Sequence, residues 1–377
     1  MILLALIGFA AAFNTTRLSE RRQLRKGKGA GHHMDGVKAW VREKANNDAP
    51  SLVGELKALR ANAGTCTLDA KKCKHQNNGL PCAPLREGCK RPCGAFSVKL
   101  YGAAGATMRE GVLMHLWGSS QAPGGGAGKF APKDSKWRSS QVEGSTLADP
   151  RWLSSARHYA KRNAWFVTVL RDPLQRVWSR YWYDTGGSIT EEKWLDDSKC
   201  GGGGRGVGNR CLSNYYVRTF RAHPRPDAFG PDYNNGLPVG DLELAKGVLD
   251  GAFDDVLISE WLSHPGTIQR LSEKLCFVPT RRKFPRGKRQ NKKAKQDSII
   301  SPSFLVKRAP GGKSDKKPAG WAPSAGYARE RVAYMNELDV DLYAWAAARE
   351  LALLKQTAAA ADGLPLPGET WRGVEDF

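Results

Sequence analysis

The stretch Trp165-Phe-Val-Thr-Val-Leu-Arg-Asp-Pro-Leu-Gln-Arg-Val-Trp-Ser-Arg-Tyr181 decides the fold. Its first six residues are almost all β-branched or aromatic, which is typical of a strand buried on both faces of a parallel sheet. Asp172 and Pro173 then supply the N-cap and the first turn of a helix. Apolar side chains follow at helical spacing, at Leu174, Val177, Trp178 and Tyr181. The stretch therefore predicts a strand that leads directly into a helix.

Similar segments occur on both sides of this stretch. We expect a strand at Ala95–Leu100, followed by a turn of small residues and a helix from Thr107 to Trp117. Asp149 and Pro150 predict the start of the helix that precedes Trp165. Later patterns predict helix, strand, helix and a long closing helix at Leu242–Leu249, Asp255–Ile258, Thr267–Cys276 and Tyr327–Lys355. This alternation predicts an α/β domain whose parallel sheet is flanked by helices on both faces.

Two loops in this pattern have residues suited to phosphate binding. In an open parallel sheet, ligands bind outside the carboxyl ends of the strands, where helix N-termini present free N–H groups. The loop after the first strand is built of small residues that let a phosphate approach the backbone. They are Gly102, Gly105, Ala106 and Thr107. After the second strand, Arg171 and Ser179 can grip one phosphate from two sides. By residue type alone, a structural turn and an ordinary ion-pairing arginine fit equally well.

The composition favours anionic partners. The 377 residues include 59 Lys and Arg against 37 Asp and Glu, a net charge of +22. Nine of the fifteen residues from Arg281 to Lys295 are basic. A solvated basic loop and a binding patch for a polyanion are both open interpretations of that run. The hydrophobic fraction of 41% is large enough for a buried core and excludes a wholly disordered chain.

Cysteine spacing favours disulfides in an oxidising compartment. Five cysteines fall within 28 residues, at Cys66, Cys73, Cys82, Cys89 and Cys93. Cys200 and Cys211 flank a glycine-rich segment, and we expect them to pair. A zinc site built from Cys73, His75, Cys89 and Cys93 is the alternative, but no short paired spacing repeats, as zinc motifs require. We therefore predict no metal.

The remaining segments divide the chain into four parts. Residues 1–30 begin with an apolar run that is too short for an ordinary membrane span and fits a signal peptide or a truncated anchor, followed by a basic stem. Asn14-Thr-Thr16 is a glycosylation sequon. Residues 31–93 form a cysteine-rich stem region, residues 94–360 the α/β domain, and residues 361–377 a flexible tail rich in proline and glycine.

Phe166 to Tyr181 resembles the 3'-phosphate-binding signature of the Golgi-type carbohydrate sulfotransferases. Three further segments are similar to that family in the same order, Leu212–Phe220, Leu242–Trp261 and Asn336–Tyr343. The resemblance covers about residues 94–350. It implies a P-loop-like nucleotide fold, a luminal active site and the cosubstrate PAPS (3'-phosphoadenosine 5'-phosphosulfate) without a metal. It also implies that Arg171 and Ser179 hold the 3'-phosphate and that Arg218 contributes to the site.

The first loop departs from the family pattern. The family carries a lysine there for the 5'-phosphosulfate, but this chain has Gly102 or Ala103 at that position. Lys99, just before the loop, and Arg109, on the first helical turn, are the candidate replacements. A member with weak or no activity is a further possibility that this departure raises. The reaction also needs a general base for the acceptor proton. The candidates are Glu143, expected in a loop, then His158 and His115.

The sequence thus predicts a PAPS-dependent sulfotransferase of the Golgi lumen or secretory pathway. We expect an anionic acceptor of carbohydrate type, no nucleic acid, and membrane association through the N-terminal segment. Two alternatives come from other classes, an inactive secreted binder of polyanions and another P-loop-type enzyme such as a kinase. The kinase alternative lacks its motif, since Gly124 to Lys129 has neither the first glycine nor the following Ser or Thr of a Walker loop.

Overall fold

A computed structural model gives the fold of the chain. The structure describes residues 51–64, 82–100, 102–105, 108–118, 139–143, 150–197, 214–221, 240–262, 264–278, 282–283, 297–298 and 326–360. All of them belong to the unit Ala45–Phe377. The predicted signal segment, basic stem, Cys200–Cys211 pair and tail lie outside the described residues.

A parallel sheet forms the centre of this unit, as predicted. Its strands are β1 (Ala95–Lys99), β2 (Ser139–Glu143), β3 (Trp165–Leu170) and β4 (Asp255–Ile258). The order across the sheet is β2-β1-β3-β4, and every neighbouring pair is parallel. A separate antiparallel pair joins β5 (Arg282–Lys283) to β6 (Asp297–Ser298). The α/β class is therefore confirmed.

Helices connect the strands and cover both faces of the sheet. Their bounds are α1 (51–61), α2 (Met114–Trp117, continuing a π-helical turn at Met108–Leu113), α3 (Pro150–Ala160), α4 (Pro173–Thr185), α5 (Glu191–Asp197), α6 (Tyr215–Phe220), α7 (Gly240–Ala252), α8 (Pro265–Lys274), α9 (Tyr327–Met335) and α10 (Glu337–Ala360). A 3-10 turn at Ser259–Trp261 follows β4.

Two of our local predictions are wrong. The single closing helix is two helices, because the chain leaves helical geometry at Asn336, with φ −120° and ψ 20°. The buried Asn336 side chain donates to the Val332 carbonyl oxygen at 2.9 Å and accepts from Arg176 at 3.1 Å. Its side chain contributes to these contacts, while its backbone does not continue the helix. Glu143 lies at the end of β2 and not in a loop. That strand is at the sheet edge, where the sequence Ser-Ser-Gln-Val-Glu lacks the apolar run of a buried strand.

Alternate side chains of the strands enter two separate cores. Phe96 and Phe166 face one core, which α3, α6, α7 and α10 complete. Trp165 and Val167 face the other, together with the helical segment Met108–Trp117 and α8. All six side chains of β3 are buried, which confirms that this strand is covered on both faces.

The described part of the predicted stem region packs against the same cores. Leu52 and Leu56 of α1 belong to the first core, while Cys82 and Ala83 belong to the second. Cys89 is disulfide-bonded to Cys276, just beyond α8. The prediction of disulfides is thus confirmed at Cys89, with a partner far along the chain. A sulfur in a disulfide is not a thiolate ligand, so Cys89 is unavailable to the zinc site considered above.

Candidate functional site

The order of the strands creates a divergence between β1 and β3. The chain leaves β1 towards β2 on one side and later returns to β3 on the other side of β1. The connections after β1 and β3 therefore run to opposite faces, the arrangement that leaves a crevice at the carboxyl edge of an open α/β sheet. Ligands of open α/β sheets bind at such a switch point. The two loops predicted to hold phosphate border this crevice.

The first loop turns tightly and rests on the second. Gly102 has φ +74° and Ala104 has φ +51°, both in the left-handed region. A Cβ built at Gly102 would lie 3.3 Å from Cγ and 3.4 Å from the carbonyl oxygen of Arg176 in α4. Glycine suits this position because it adopts positive φ without strain and permits the close approach.

Lys99 crosses the start of the helix that follows this loop. A Cβ at Gly105 would come within 3 Å of Cγ, Cδ and Cε of Lys99, so the lysine stem occupies the space that a side chain would need. Lys99 is the last residue of β1, and its α-carbon pairs in register with that of Glu143 in β2. The predicted cation and the first candidate base therefore lie side by side in the backbone of the carboxyl edge.

Arg171 links the two loops. Its side chain is half-buried, and Nη1 donates to the carbonyl oxygen of Gly102 at 3.2 Å. Its backbone N–H donates to the Tyr216 hydroxyl at 3.2 Å, and the same hydroxyl donates to its carbonyl oxygen at 2.9 Å. Within the described ranges, no carboxylate lies within ion-pair distance of its guanidinium. The cation thus spans the crevice with most of its donors available to an anion.

The N-terminus of α4 is held beside Arg171. The Asp172 carboxylate accepts from Gln175 N–H at 2.8 Å, which confirms the predicted N-cap. Asp172 N–H donates to Glu260 Oε1 at 3.1 Å, and Tyr343 Oη donates to Glu260 Oε2 at 3.3 Å. Ser179 is half-buried one turn beyond Arg176, the residue that contacts Gly102.

Two helix N-termini cap each other beneath this site. Asn214, which precedes α6, accepts from Leu338 N–H at 3.0 Å and Asp339 N–H at 3.2 Å, both in α10. In return, the Asp339 carboxylate accepts from Tyr216 N–H and Val217 N–H of α6, each at 2.9 Å. Burial raises the pKa of Asp339, while Arg176 and these N–H donors act in the opposite direction. The exchange satisfies donors that helix starts otherwise leave unpaired.

Arg176 fills the space between the caps and the first loop. Its guanidinium stacks on the rings of Tyr215 at 4.9 Å and Tyr216 at 5.2 Å from the centroids. Its Nη2 lies 3.9 Å from the Asp339 carboxylate. This fully buried cation lies beside the Asp339 carboxylate and against the ring of Tyr216.

The structure brings some of the predicted site residues together and not others. Five of them lie at the carboxyl ends of β1 and β3 or just beyond, namely Lys99 at the end of β1, Gly102 and Gly105 after it, Arg171 after β3, and Ser179 in the second turn of α4. Arg218 is buried in α6, and its positive charge acts to lower the pKa of Asp339. Ala106 and Thr107 lie outside the described residues. Arg109 falls in the π-helical turn and His115 in α2, and the structure describes only their backbone.

His158 is separated from the other candidates. It lies in the last turn of α3, which returns the chain to the amino edge of β3, and this strand has six residues. At about 3.3 Å per residue, that edge is roughly 20 Å from the carboxyl edge. Burial and the charges of Arg162 and Lys161 lower the pKa of His158.

Four residues that contribute contacts to the candidate site were not identified from sequence, namely Arg176, Tyr216, Glu260 and Tyr343. All four lie in segments that resemble the family, but the resemblance gives none of them a contact. Tyr216 and Arg176 carry no local signal, because their partners lie in distant segments of the chain.

No protein-family model matches the chain, and no curated protein matches it significantly. Within the described part of the chain, no helix is both long and apolar enough to span a membrane, and no cluster of three potential metal ligands occurs.

Proposed function

We propose that this chain is a sulfotransferase that transfers a sulfonyl group from PAPS to a hydroxyl or amine of an acceptor, which we take to be a carbohydrate. One observation carries the proposal. Arg171, the arginine of the signature-like stretch, lies at the β1/β3 switch point and is bonded to the carbonyl oxygen of Gly102 across the crevice. A nucleotide with phosphates at both ends of its ribose would need two loops facing one crevice.

The two loops would divide the cosubstrate between them. Arg171 and Ser179 would hold the 3'-phosphate, the arginine through its fork of donors. The loop after β1 would receive the 5'-phosphosulfate, with Lys99 in place of the lysine that the family carries inside the loop. The position of the Lys99 stem over Gly105, at the helix start, supports this replacement. The P-loop-like character of the fold belongs to the same proposal.

Transfer would then be an in-line displacement at sulfur. The acceptor oxygen or nitrogen forms a bond to sulfur while the bond from sulfur to the 5'-phosphate oxygen breaks, which leaves adenosine 3',5'-bisphosphate. Lys99 and the backbone N–H groups of the loop would neutralise charge on the leaving phosphate. The acceptor gives its proton to a base. Glu143 is our candidate because its backbone is the register neighbour of Lys99.

The cellular setting proposed is the Golgi lumen or the secretory pathway. The disulfide between Cys89 and Cys276 supports an oxidising compartment. The net charge of +22 supports an acidic glycan as acceptor.

The test is label transfer from sulfur-labelled PAPS to a panel of glycans by the purified full chain. Arg171→Ala should abolish transfer and strongly weaken, without abolishing, the binding of adenosine 3',5'-bisphosphate. Arg157→Ala is the matched control, since Arg157 forms an exposed ion pair with Glu55 at 2.7 Å on the amino side of the sheet. Transfer that survives Arg171→Ala would contradict the proposal. Salt-sensitive glycan binding without nucleotide affinity would favour the polyanion binder instead.

A further inference from the structure

Tyr216 contacts Arg171, the residue proposed to bind the 3'-phosphate, through the backbone of that arginine. Its hydroxyl accepts from the N–H of Arg171 at 3.2 Å and donates to the C=O of the same residue at 2.9 Å. A hydroxyl has one donor and two acceptor sites, so one oxygen satisfies both backbone polar groups of Arg171. Arg171 follows the last residue of β3, where the ladder of the sheet no longer fixes the chain.

The tyrosine is itself rigidly placed. It is fully buried, its N–H is bound by Asp339 at 2.9 Å, and its ring lies against the Arg176 guanidinium. Burial raises the pKa of Tyr216 far above its usual range, so the hydroxyl keeps the proton that it donates. The backbone of Arg171 is therefore held in place by α6 and α10, the two helices that cap each other, rather than by the sheet.

From these contacts we infer that Tyr216 is a positioning residue that sets the direction of the Arg171 side chain across the crevice. The inference rests on the proposed function, because it assigns Tyr216 to the 3'-phosphate subsite of the same nucleotide. Tyr216 does not touch the nucleotide. It holds the φ and ψ of the residue that does, so that Nη1 reaches the carbonyl of Gly102 and the remaining donors face the anion.

The test is a double-mutant cycle on binding of adenosine 3',5'-bisphosphate, measured by calorimetry with the full chain. Tyr216→Phe removes one oxygen atom and should weaken binding about tenfold, since the arginine loses its preset direction. The same change in an Arg171→Ala background should have no further effect, because the tyrosine acts through that arginine. A general loss of structure would weaken both backgrounds alike.

Tyr215→Phe is the matched control. Tyr215 is the adjacent residue of α6, also contacts Arg176 through its ring, and has no part in the Arg171 backbone contacts. We expect the loss of the Tyr215 hydroxyl to change the affinity for adenosine 3',5'-bisphosphate less than twofold. Each titration is run well below the melting temperature of the variant.

Asp339→Asn provides a second route if Tyr216→Phe does not fold. It disturbs the N–H contacts of Tyr216 and Val217 but keeps an oxygen acceptor. It is taken through the same cycle with the same expectation. Equal affinity of wild type and Tyr216→Phe, or a tenfold loss that persists without Arg171, would overturn the inference alone. Absence of binding by the wild-type chain would overturn the inference and the proposed function together.

Discussion

The arginines at the two edges of the central sheet have different kinds of partner. At the amino edge, Arg270 binds both oxygens of Glu350 at 2.7 and 2.8 Å and also pairs with Asp255, the first residue of β4. Lys274 adds a second cation to Asp255 at 2.8 Å. At the carboxyl edge, the side-chain contact of Arg171 is a neutral carbonyl oxygen. The amino edge has its charges matched within the protein, while the carboxyl edge presents a cation.

The difference separates charges that maintain the fold from charges of the proposed binding site. A buried ion costs several kcal/mol to desolvate, so Arg270 is tolerable because two carboxylates surround it. Burial alone would lower the pKa of Arg270, but Glu350 and Asp255 raise it above its ordinary value. Arg171 is half-buried and keeps contact with solvent until an anion replaces it. Mutations at the two edges should therefore affect different measurements.

The largest effect is expected at Arg270. Arg270→Ala leaves Glu350 buried without its cation and Asp255 with Lys274 alone, and it should lower the free energy of unfolding by about 3–5 kcal/mol. Arg171→Ala should change it by less than about 1 kcal/mol, because no buried charge is left uncompensated. Urea unfolding of both variants measures the contrast. Equal losses would remove the distinction between the edges.

The loss at Arg270 should also depend on pH. Burial raises the pKa of Glu350 above its unfolded value, so its contribution to stability is present at low pH and is lost as the pH rises through the folded-state pKa. Without Arg270 the carboxyl group gains even more from protonation. The destabilisation should therefore shrink as the pH falls from 7 towards 5.

Lys99→Met sharpens the carboxyl side of the comparison. Methionine keeps a stem over Gly105 and removes the ammonium group, so kcat for transfer should fall on the order of 100-fold, as for other donors to a leaving oxygen. Stability should be unchanged. Lys161→Met, at an exposed position after α3, is the control and should retain full kcat. A fall in stability rather than kcat would assign Lys99 to the fold.

Gly102→Ala tests the fit between the loops. Alanine at φ +74° costs roughly 1–2 kcal/mol, and its Cβ would press on Arg176. We expect about a tenfold loss of affinity for adenosine 3',5'-bisphosphate. Gly54→Ala in α1 is the counterpart, since nothing lies within 4 Å of its Cβ, and it should stabilise the chain by about 0.5–1 kcal/mol. Similar effects at both glycines would contradict the close approach of the two loops.

The smallest effect is expected at His158. Its pKa is lowered by burial and by neighbouring cations, so the neutral form stabilises the fold above the unfolded pKa, and this contribution is lost as the pH falls. His158→Gln should reduce the acid-side decline in melting temperature by about 1 °C. Transfer activity should not change, since His158 lies at the amino edge. A loss of transfer activity in His158→Gln would make His158 a candidate general base again.

Local sequence signals predicted the fold where contacts are local. The bounds of β3 and the start of α4 follow from an unbroken apolar run and from Asp172-Pro173. The facing of Arg171 and the Gly102 loop follows from the rule that parallel strands end at one edge. β2 escaped prediction because an edge strand of polar residues has no apolar pattern. The break at Asn336 was not predicted, and one of the two contacts of its side chain is to Arg176, 160 residues earlier.

The support beneath the site could not be predicted for the same reason. Asn214 and Asp339 exchange caps across 122 to 125 positions of sequence, and Tyr216 reaches Arg171 across 45. No spacing rule links residues so far apart. Their segments could be noted as similar to a known family, but the contact between them is a property of the folded chain.

The mutual capping of α6 and α10 has a consequence for biosynthesis. Arg171 is synthesised long before Asp339, yet the tyrosine that fixes its backbone depends on the start of α10. A ribosome-bound chain that ends before residue 337 would already contain every strand of the central sheet but would lack the start of α10, on which the proposed nucleotide site depends. Binding at the proposed nucleotide site would therefore become possible only after the start of α10 has been synthesised.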